Sequence, residues 1–283
     1  MTMPRSRGKW PWGHKKVGLA LSGGAARGTA HIGVLEVLER EGFRPAVVAG
    51  VSAGSVVGAL YCAGYSIEQL KALARNLSWA KLVRLGRPHL GLFDTSRMEA
   101  YLEELLGGKT FDQLSIPFLT VAVDLLTSQE VVLKEGRVAR AVRASCAVPA
   151  LFTPVEWDDH LLVDGGLLNN VPVRVLREWG ADYVIAVNLL PPYARNARPR
   201  NLWELWMLTL YTLERNAHAE AQQADCTMYP DVIEFSLADL EHAEEMMERG
   251  RRAAEAKLKQ LRADLRPSPL AGLRWKIAGP RRR

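Results

Sequence analysis

The stretch that decides the fold is Val47-Val48-Ala49-Gly50-Val51-Ser52-Ala53-Gly54, followed at once by Ser55-Val56-Val57-Gly58-Ala59-Leu60. An apolar, β-branched run enters Gly-x-Ser-x-Gly, and a helix-compatible run leaves it. A strand turning sharply into a helix leaves its central residue on a strained elbow, with the side chain projecting beyond the sheet edge. Gly50 and Gly54 fit where strand and helix backbones pass too close for a Cβ. The pattern predicts Ser52 to be a nucleophile; the alternative is a Gly/Ser-rich turn under a helix.

Working outward, strands and helices alternate. Lys16–Leu21 reads as a strand, with a helical pattern over Ala26–Glu41. Ala46–Gly50, Phe118–Leu126 and Tyr183–Leu189 read as further strands, the last preceded by the helical Val173–Trp179. This alternation predicts an α/β fold with a mostly parallel central sheet flanked by helices on both faces. Glu130–Lys134, and Thr153–Trp157 with His160–Val163 across Asp158-Asp159, suit antiparallel hairpins at the edge. Residues 66–106 read as mostly helical around a loop at Arg84–Gly91. Leu202–Ala224 and Asp239–Leu261 read as long helices with a short strand near Val232–Phe235 between them.

The chain has 283 residues and a net charge of +6, unevenly spread. Residues 1–16 carry five basic groups and no acid, and residues 262–283 carry seven against one acid, so the body carries a net −5. That argues against nucleic-acid binding, which needs its positive charge on a folded face. The expected organisation is a basic tail over 1–15, one domain over 16–266 and a basic, Pro-containing tail over 267–283. With Trp10, Trp12 and Trp275 among their cations, the tails suit either an anionic membrane surface or plain solvated ends. Three scattered cysteines imply no disulfide framework, and no signal peptide or membrane span is apparent. The expected location is cytoplasmic, with peripheral membrane contact as a variant. No metal-ligand spacing occurs and no cofactor is implied. Oligomeric state is not legible.

Ser22-Gly23-Gly24-Ala25-Ala26-Arg27-Gly28 sits between a strand and a helix, where successive backbone N–H groups make an anion cradle. It matches neither Walker A nor Gly-x-Gly-x-x-Gly, so an oxyanion is the better guest than a nucleotide. Arg27 suits orienting the loop, meeting an anionic head group or forming an ion pair. A serine nucleophile needs a base. His89, His160, His218 and His242 follow Ser52, but none lies in a loop after a late strand, where a triad histidine belongs. Asp164 ends the apolar strand Leu161-Leu162-Val163 and precedes Gly165-Gly166. It reads either as an Asp-Gly turn or as a carboxylate able to take the serine proton. Leu77–Arg84, before the Gly86–Gly91 loop, suits a lid or interfacial surface. Leu202–Leu208 suits a buried or oligomer-contact helix, or a membrane-docking one.

Ser-Gly-Gly-x-x-Arg-Gly at 22–28, Gly-Val-Ser-Ala-Gly at 50–54, Ala-Ser-Cys-Ala-Val-Pro-Ala at 144–150 and Asp-Gly-Gly at 164–166 resemble, in that order, the patatin-like phospholipases. Leu168-Asn169-Asn170-Val171-Pro172-Val173 running into Gly180-Ala181-Asp182 extends the likeness, which spans roughly residues 16–260. The resemblance implies a patatin-like three-layer α/β sandwich and a Ser52–Asp164 dyad without histidine. It implies an oxyanion hole at Gly23, Gly24, Ala25 and Ala26, supported by Arg27, Gly28, Gly50, Gly54, Gly165 and Gly166. It places His31 on the following helix as a structural residue. The implied activity is hydrolysis of phospholipid or lysophospholipid esters. The alternatives are a thioesterase or small-ester hydrolase with the same dyad, and a catalytically weak lipid-binding protein. Family members usually have glycine where this chain has Ala25, which bears on the cradle if the loop needs positive φ there.

Overall fold

The computed structural model describes residues 15–85, 90–190, 198–199, 202–216 and 222–266. Strands β1 (Val17–Leu21), β2 (Val47–Gly50), β3 (Arg84–Leu85), β4 (Gly91–Asp94), β5 (Phe118–Asp124), β6 (Gln129–Leu133), β7 (Ala150–Phe152), β8 (Val155–Trp157), β9 (His160–Asp164), β10 (Tyr183–Val187) and β11 (Cys226–Met228) form two sheets. The helices are α1 (Ala30–Arg40), α2 (Ala53–Cys62), α3 (Ile67–Arg75), α4 (Trp79–Leu82), α5 (Ser96–Leu106), α6 (Val138–Ser145), α7 (Val173–Trp179), α8 (Leu202–Asn216), α9 (Ala243–Glu255) and α10 (Leu258–Asp264).

The large sheet has the order β11-β10-β1-β2-β5-β9-β8, with β6 also paired to β5. β11, β10, β1, β2 and β5 run parallel, while β6, β8 and β9 are antiparallel additions. Alternate residues of the central strands face opposite layers. Leu19 and Leu21 pack with residues of α1, α2 and α9 on one face, and Ala20, Val47 and Ala49 pack with Val173, Val175 and Leu176 of α7 on the other. The central strands are buried on both sides, so they are apolar throughout instead of alternating.

One register relation positions the site. Gly50 of β2 pairs with Thr120 of β5, and Asp164 of β9 pairs with Ala122, two residues further along. β6 pairs with Thr120 through Asp124, so it takes β5's other edge. β2 and β9 therefore follow one another along a single edge of β5. The chain leaving β2 at the elbow and the last residue of β9 meet there.

Several elements differ from the sequence reading. No strand forms at 232–235, which is a turn; the edge strand lies earlier, at β11, pairing in parallel with β10. The helix expected over Asp239–Leu261 is two helices, α9 and α10, broken at Ala256-Lys257. The helix expected from Ala26 opens as a 3-10 turn over Ala25–Thr29. The three-stranded sheet β3-β4-β7 has no counterpart in the sequence reading. Its strands are two to four residues long, and β4 and β7 pair across about sixty residues of chain, so they leave no periodic signal. α8 packs against the Gly165–Leu167 turn but leaves Leu202, Leu205 and Leu213 at least half exposed, so it is not a buried core helix. His89, His218, both tails and most of the Gly86–Gly91 loop fall outside the described residues.

Candidate active site

Ser52 caps the N-terminus of α2 with φ 50° and ψ −123°, a conformation that non-glycine residues rarely adopt. The surroundings over-determine it. The Val51 N–H donates to the Leu21 carbonyl at 3.0 Å. The Ser52 N–H donates to Ser145 Oγ at 2.9 Å. The Ser55 N–H and Oγ both donate to the Ser52 carbonyl. A Cβ on Gly50 would strike the Gly54 carbonyl, and one on Gly54 the Leu21 carbonyl, so both positions require glycine. Strain persisting under such constraint marks functional positions.

Asp164 is 3% exposed, and burial pushes its carboxyl up to about 6. The Gly166 N–H, donating at 2.9 Å, and the Ser52 hydroxyl act in the opposite sense. The Asp164 carboxyl thus lies beside the Ser52 hydroxyl, with burial holding it up at about 6. A Cβ on Gly165 would strike the Val121 carbonyl, so glycine there lets the turn after β9 lie against β5. The Cys146 thiol also meets Ser52 and lies 3.8 Å from Ser55 Oγ; burial pushes it up to about 12, so it is a neutral thiol.

The loop after β1 faces Ser52: a Cβ on Gly23 would come within 3.2 Å of Ser52 Cβ. Of the four amides expected in the cradle, two are engaged. The Gly23 N–H donates to Asn170 Oδ1 at 3.0 Å, and the Ala26 N–H to the Leu237 carbonyl at 3.0 Å. Among the described residues, the amides of Gly24, Ala25 and Ala53 have no acceptor. Ala25 holds φ 50°, so the loop does take a positive φ at this non-glycine position.

Arg27 is buried. Its Nε donates to the Phe235 carbonyl at 2.8 Å and its Nη2 to the Ile233 carbonyl at 2.9 Å, so it orients the loop rather than presenting charge to a head group. Gly28 packs on Ala53, where a Cβ would leave 2.5 Å to the Ala53 Cβ. His31 is fully buried with Nε2 2.9 Å from the Ser22 carbonyl. Desolvation lowers it to about 4, so it is neutral and holds the loop from below. His160 sits at the start of β9, its Nδ1 3.0 Å from Asp124 Oδ2, and His242 is paired with Asp239. Neither is placed to serve Ser52.

Four contributors were missed in the sequence: Ser145, Asn170, Cys146 and the Ala53 amide. Ser145 and Asn170 lay inside the quoted family blocks, but nothing local shows whose backbone each side chain holds. The Ala53 amide had a signal, because the residue after an elbow nucleophile commonly donates to an oxyanion.

A cavity of about 1040 Å³, open mouth included, lies over Ser52. Ala25, Ser52, Ala53 and Cys146 line it beside apolar residues of α2, α3 and α5, and no charged side chain does. Leu77, Trp79 and Leu82 are part of this wall, which is where the expected lid segment sits.

Fold and site define an α/β protein with a strained elbow serine, a buried carboxyl beside it and an apolar cavity above it. The chain belongs to the patatin-like phospholipase family, whose model matches residues 19–177. It is 37% identical over 186 residues to an uncharacterised NTE family protein of Mycobacterium tuberculosis, covering 65% of this chain and 51% of that one. It is 36% identical over 183 residues to patatin-like phospholipase domain-containing protein 6 of Homo sapiens, covering 61% of this chain and 13% of that protein. The chain thus spans about half the length of the mycobacterial relative. Among solved structures, VipD from Legionella pneumophila shares the fold with a TM-score of 0.59 at 16% identity, over 89% of this chain and 67% of that chain.

Proposed function

We propose that this protein is a serine hydrolase of lipid carboxylic esters, phospholipids or lysophospholipids, with residues 16–266 as the catalytic unit. Ser52 Oγ attacks the ester carbonyl while Asp164 takes its proton. The amides of Gly24, Ala25 and Ala53 receive the oxyanion, the contribution that usually dominates acyl transfer. As the tetrahedral intermediate collapses, Asp164 returns the proton to the departing alcohol. It then takes a proton from the water that attacks the acyl-enzyme, and Ser52 leaves with that proton.

The observation that carries this reading is the juxtaposition of Ser52 with a cavity walled almost wholly by apolar side chains, with no charged one among them. It favours a long acyl group over the small-ester alternative. A carboxyl near 6 suits the base, since it is ionised at neutral pH yet basic enough to accept a proton. No helix among the described residues is long and apolar enough to cross a membrane.

The test is fluorophosphonate labelling of the wild type beside Ser52→Ala, followed by hydrolysis of phospholipid, lysophospholipid, acyl-CoA and p-nitrophenyl esters. Labelling that persists in Ser52→Ala removes the nucleophile. Thioester turnover well above ester turnover moves the reading to a thioesterase, and no turnover of any ester leaves a lipid-binding protein.

A further inference from the structure

The cavity has a direction. The α2 residues lining it are Ala53, Val56, Val57 and Leu60, at spacings of three, four and seven, which is one face of the helix. That face begins at the residue after Ser52, and Leu60 lies roughly 10 Å further along the axis at the rise of an α-helix. α3 and α5 supply the opposite wall, including Leu70 and Leu102. The stripe does not continue: neither Ala63 nor Gly64 lines the cavity, and α2 ends at Cys62. Just past Leu60, Tyr65 bridges α2 to α5. The Tyr65 N–H donates to the Leu60 carbonyl at 3.2 Å, and the Tyr65 hydroxyl donates to the Leu105 carbonyl of α5 at 2.7 Å.

We infer that the acyl chain of the substrate lies along α2, from Ser52 towards Leu60, and that Leu60 with the Tyr65–Leu105 closure limits its length. This rests on the reading of Ser52 as the nucleophile and adds which part of the substrate is measured. The acyl chain takes the stripe, and the alcohol portion of the ester stays at the mouth. Each methylene that still fits between Ser52 and Leu60 leaves water for an apolar wall. It raises kcat/KM about fourfold, the equivalent of about 0.8 kcal/mol per buried CH₂. Beyond Leu60 the gain stops.

The experiment is a chain-length profile with p-nitrophenyl esters from acetate through butyrate, octanoate and dodecanoate to hexadecanoate. Each rate is divided by the same protein's acetate rate, so that a general loss of catalysis cancels. Val57→Phe, halfway along the stripe, is expected to lower the long-to-short ratio at least tenfold and move the break to shorter esters. Leu60→Ala is expected to move the break to longer esters. A second arm needs no turnover: in Ser52→Ala, fatty acids of the same lengths displace anilinonaphthalene sulfonate, with the break again shifted outward by Leu60→Ala. Profiles of both variants superimposable on wild type overturn the inference. Length-dependent fatty acid binding that moves with Leu60→Ala, in a protein that hydrolyses no ester, retains the channel and overturns the hydrolase reading instead.

Discussion

Asn170 Oδ1 accepts the Gly23 N–H at 3.0 Å, tying the turn after β9 to the loop facing Ser52. The two loops follow β1 and β9, which are not neighbours in the sheet, and Asn170 is 1% exposed where it bridges them. The bond removes Gly23 from the set of free donors and fixes the peptide leading into Gly24. Asn170→Ala leaves that amide unpaired and the loop less constrained. The expected result is a fall in kcat of about tenfold, about 1.4 kcal/mol of lost transition-state stabilisation, with KM little changed. Steady-state kinetics on a p-nitrophenyl ester measures this. An unchanged kcat with a lowered melting temperature would assign Asn170 to stability alone.

Asp164 gives a pH dependence with two opposite consequences. As the proposed base it must be ionised, so kcat/KM is expected to rise with pH through about 6 and to be lost in acid. For stability the sign reverses. The folded carboxyl titrates at about 6 against an ordinary value of 3.8, so the folded state keeps a proton that the unfolded chain has lost. The penalty is absent below 3.8, grows between 3.8 and about 6, and is complete above that, reaching on the order of 3 kcal/mol. Asp164→Asn should therefore abolish turnover yet raise the melting temperature at about pH 8, with the difference vanishing towards about pH 4. Thermal denaturation of both proteins across that range checks the sign.

Ala25 occupies φ 50° without being glycine. The left-handed region costs an L-residue about 1–2 kcal/mol. Ala25→Gly removes that strain and returns about 0.4–1 kcal/mol through a freer unfolded chain. The expected net effect is a stability gain between nothing and about 1.6 kcal/mol, with kcat within about twofold of wild type because the amide is kept. A kcat change of more than about tenfold in either direction would show that the alanine side chain itself shapes the cradle.

The α1–α9 crossing depends on two glycines. A Cβ on Gly33 would strike the Met247 carbonyl, and one on Gly250 the Ala30 carbonyl. Both obstacles are backbone, so the helices must move apart. Gly33→Ala is expected to destabilise the protein by about 3 kcal/mol, the upper end for overpacking, and Gly250→Ala similarly. Urea denaturation with an unchanged m-value measures it.

Much of this was legible locally. The run 47–60 shows strand, elbow and helix because Val47-Val48 and the flanking glycines state their conformations within a few residues. β1, β5, α7 and β10 were likewise readable from apolar runs of ordinary length. The small β3-β4-β7 sheet was not, because two-residue and three-residue strands carry no period. The cradle was only half legible. Its glycines are visible, but which amides are free depends on Asn170 and Leu237, far along the chain. The turn at 232–235 misled because its apolar Val232 and Phe235 are buried without being paired.

By itself, the sequence determined the parallel α/β layout and the Ser52 elbow. Apolar period, β-branching and required glycines act over a few residues, so they are written in the order in which they work. Only the tertiary structure brings Asp164 beside Ser52, through β2 and β9 sharing one edge of β5. Only it decided that Asn170, not a ligand, takes the Gly23 amide, and that one face of α2 from Ala53 to Leu60 lines the cavity. Those relations are distances between segments far apart in the chain, set by strand register and helix packing, and no local pattern encodes them.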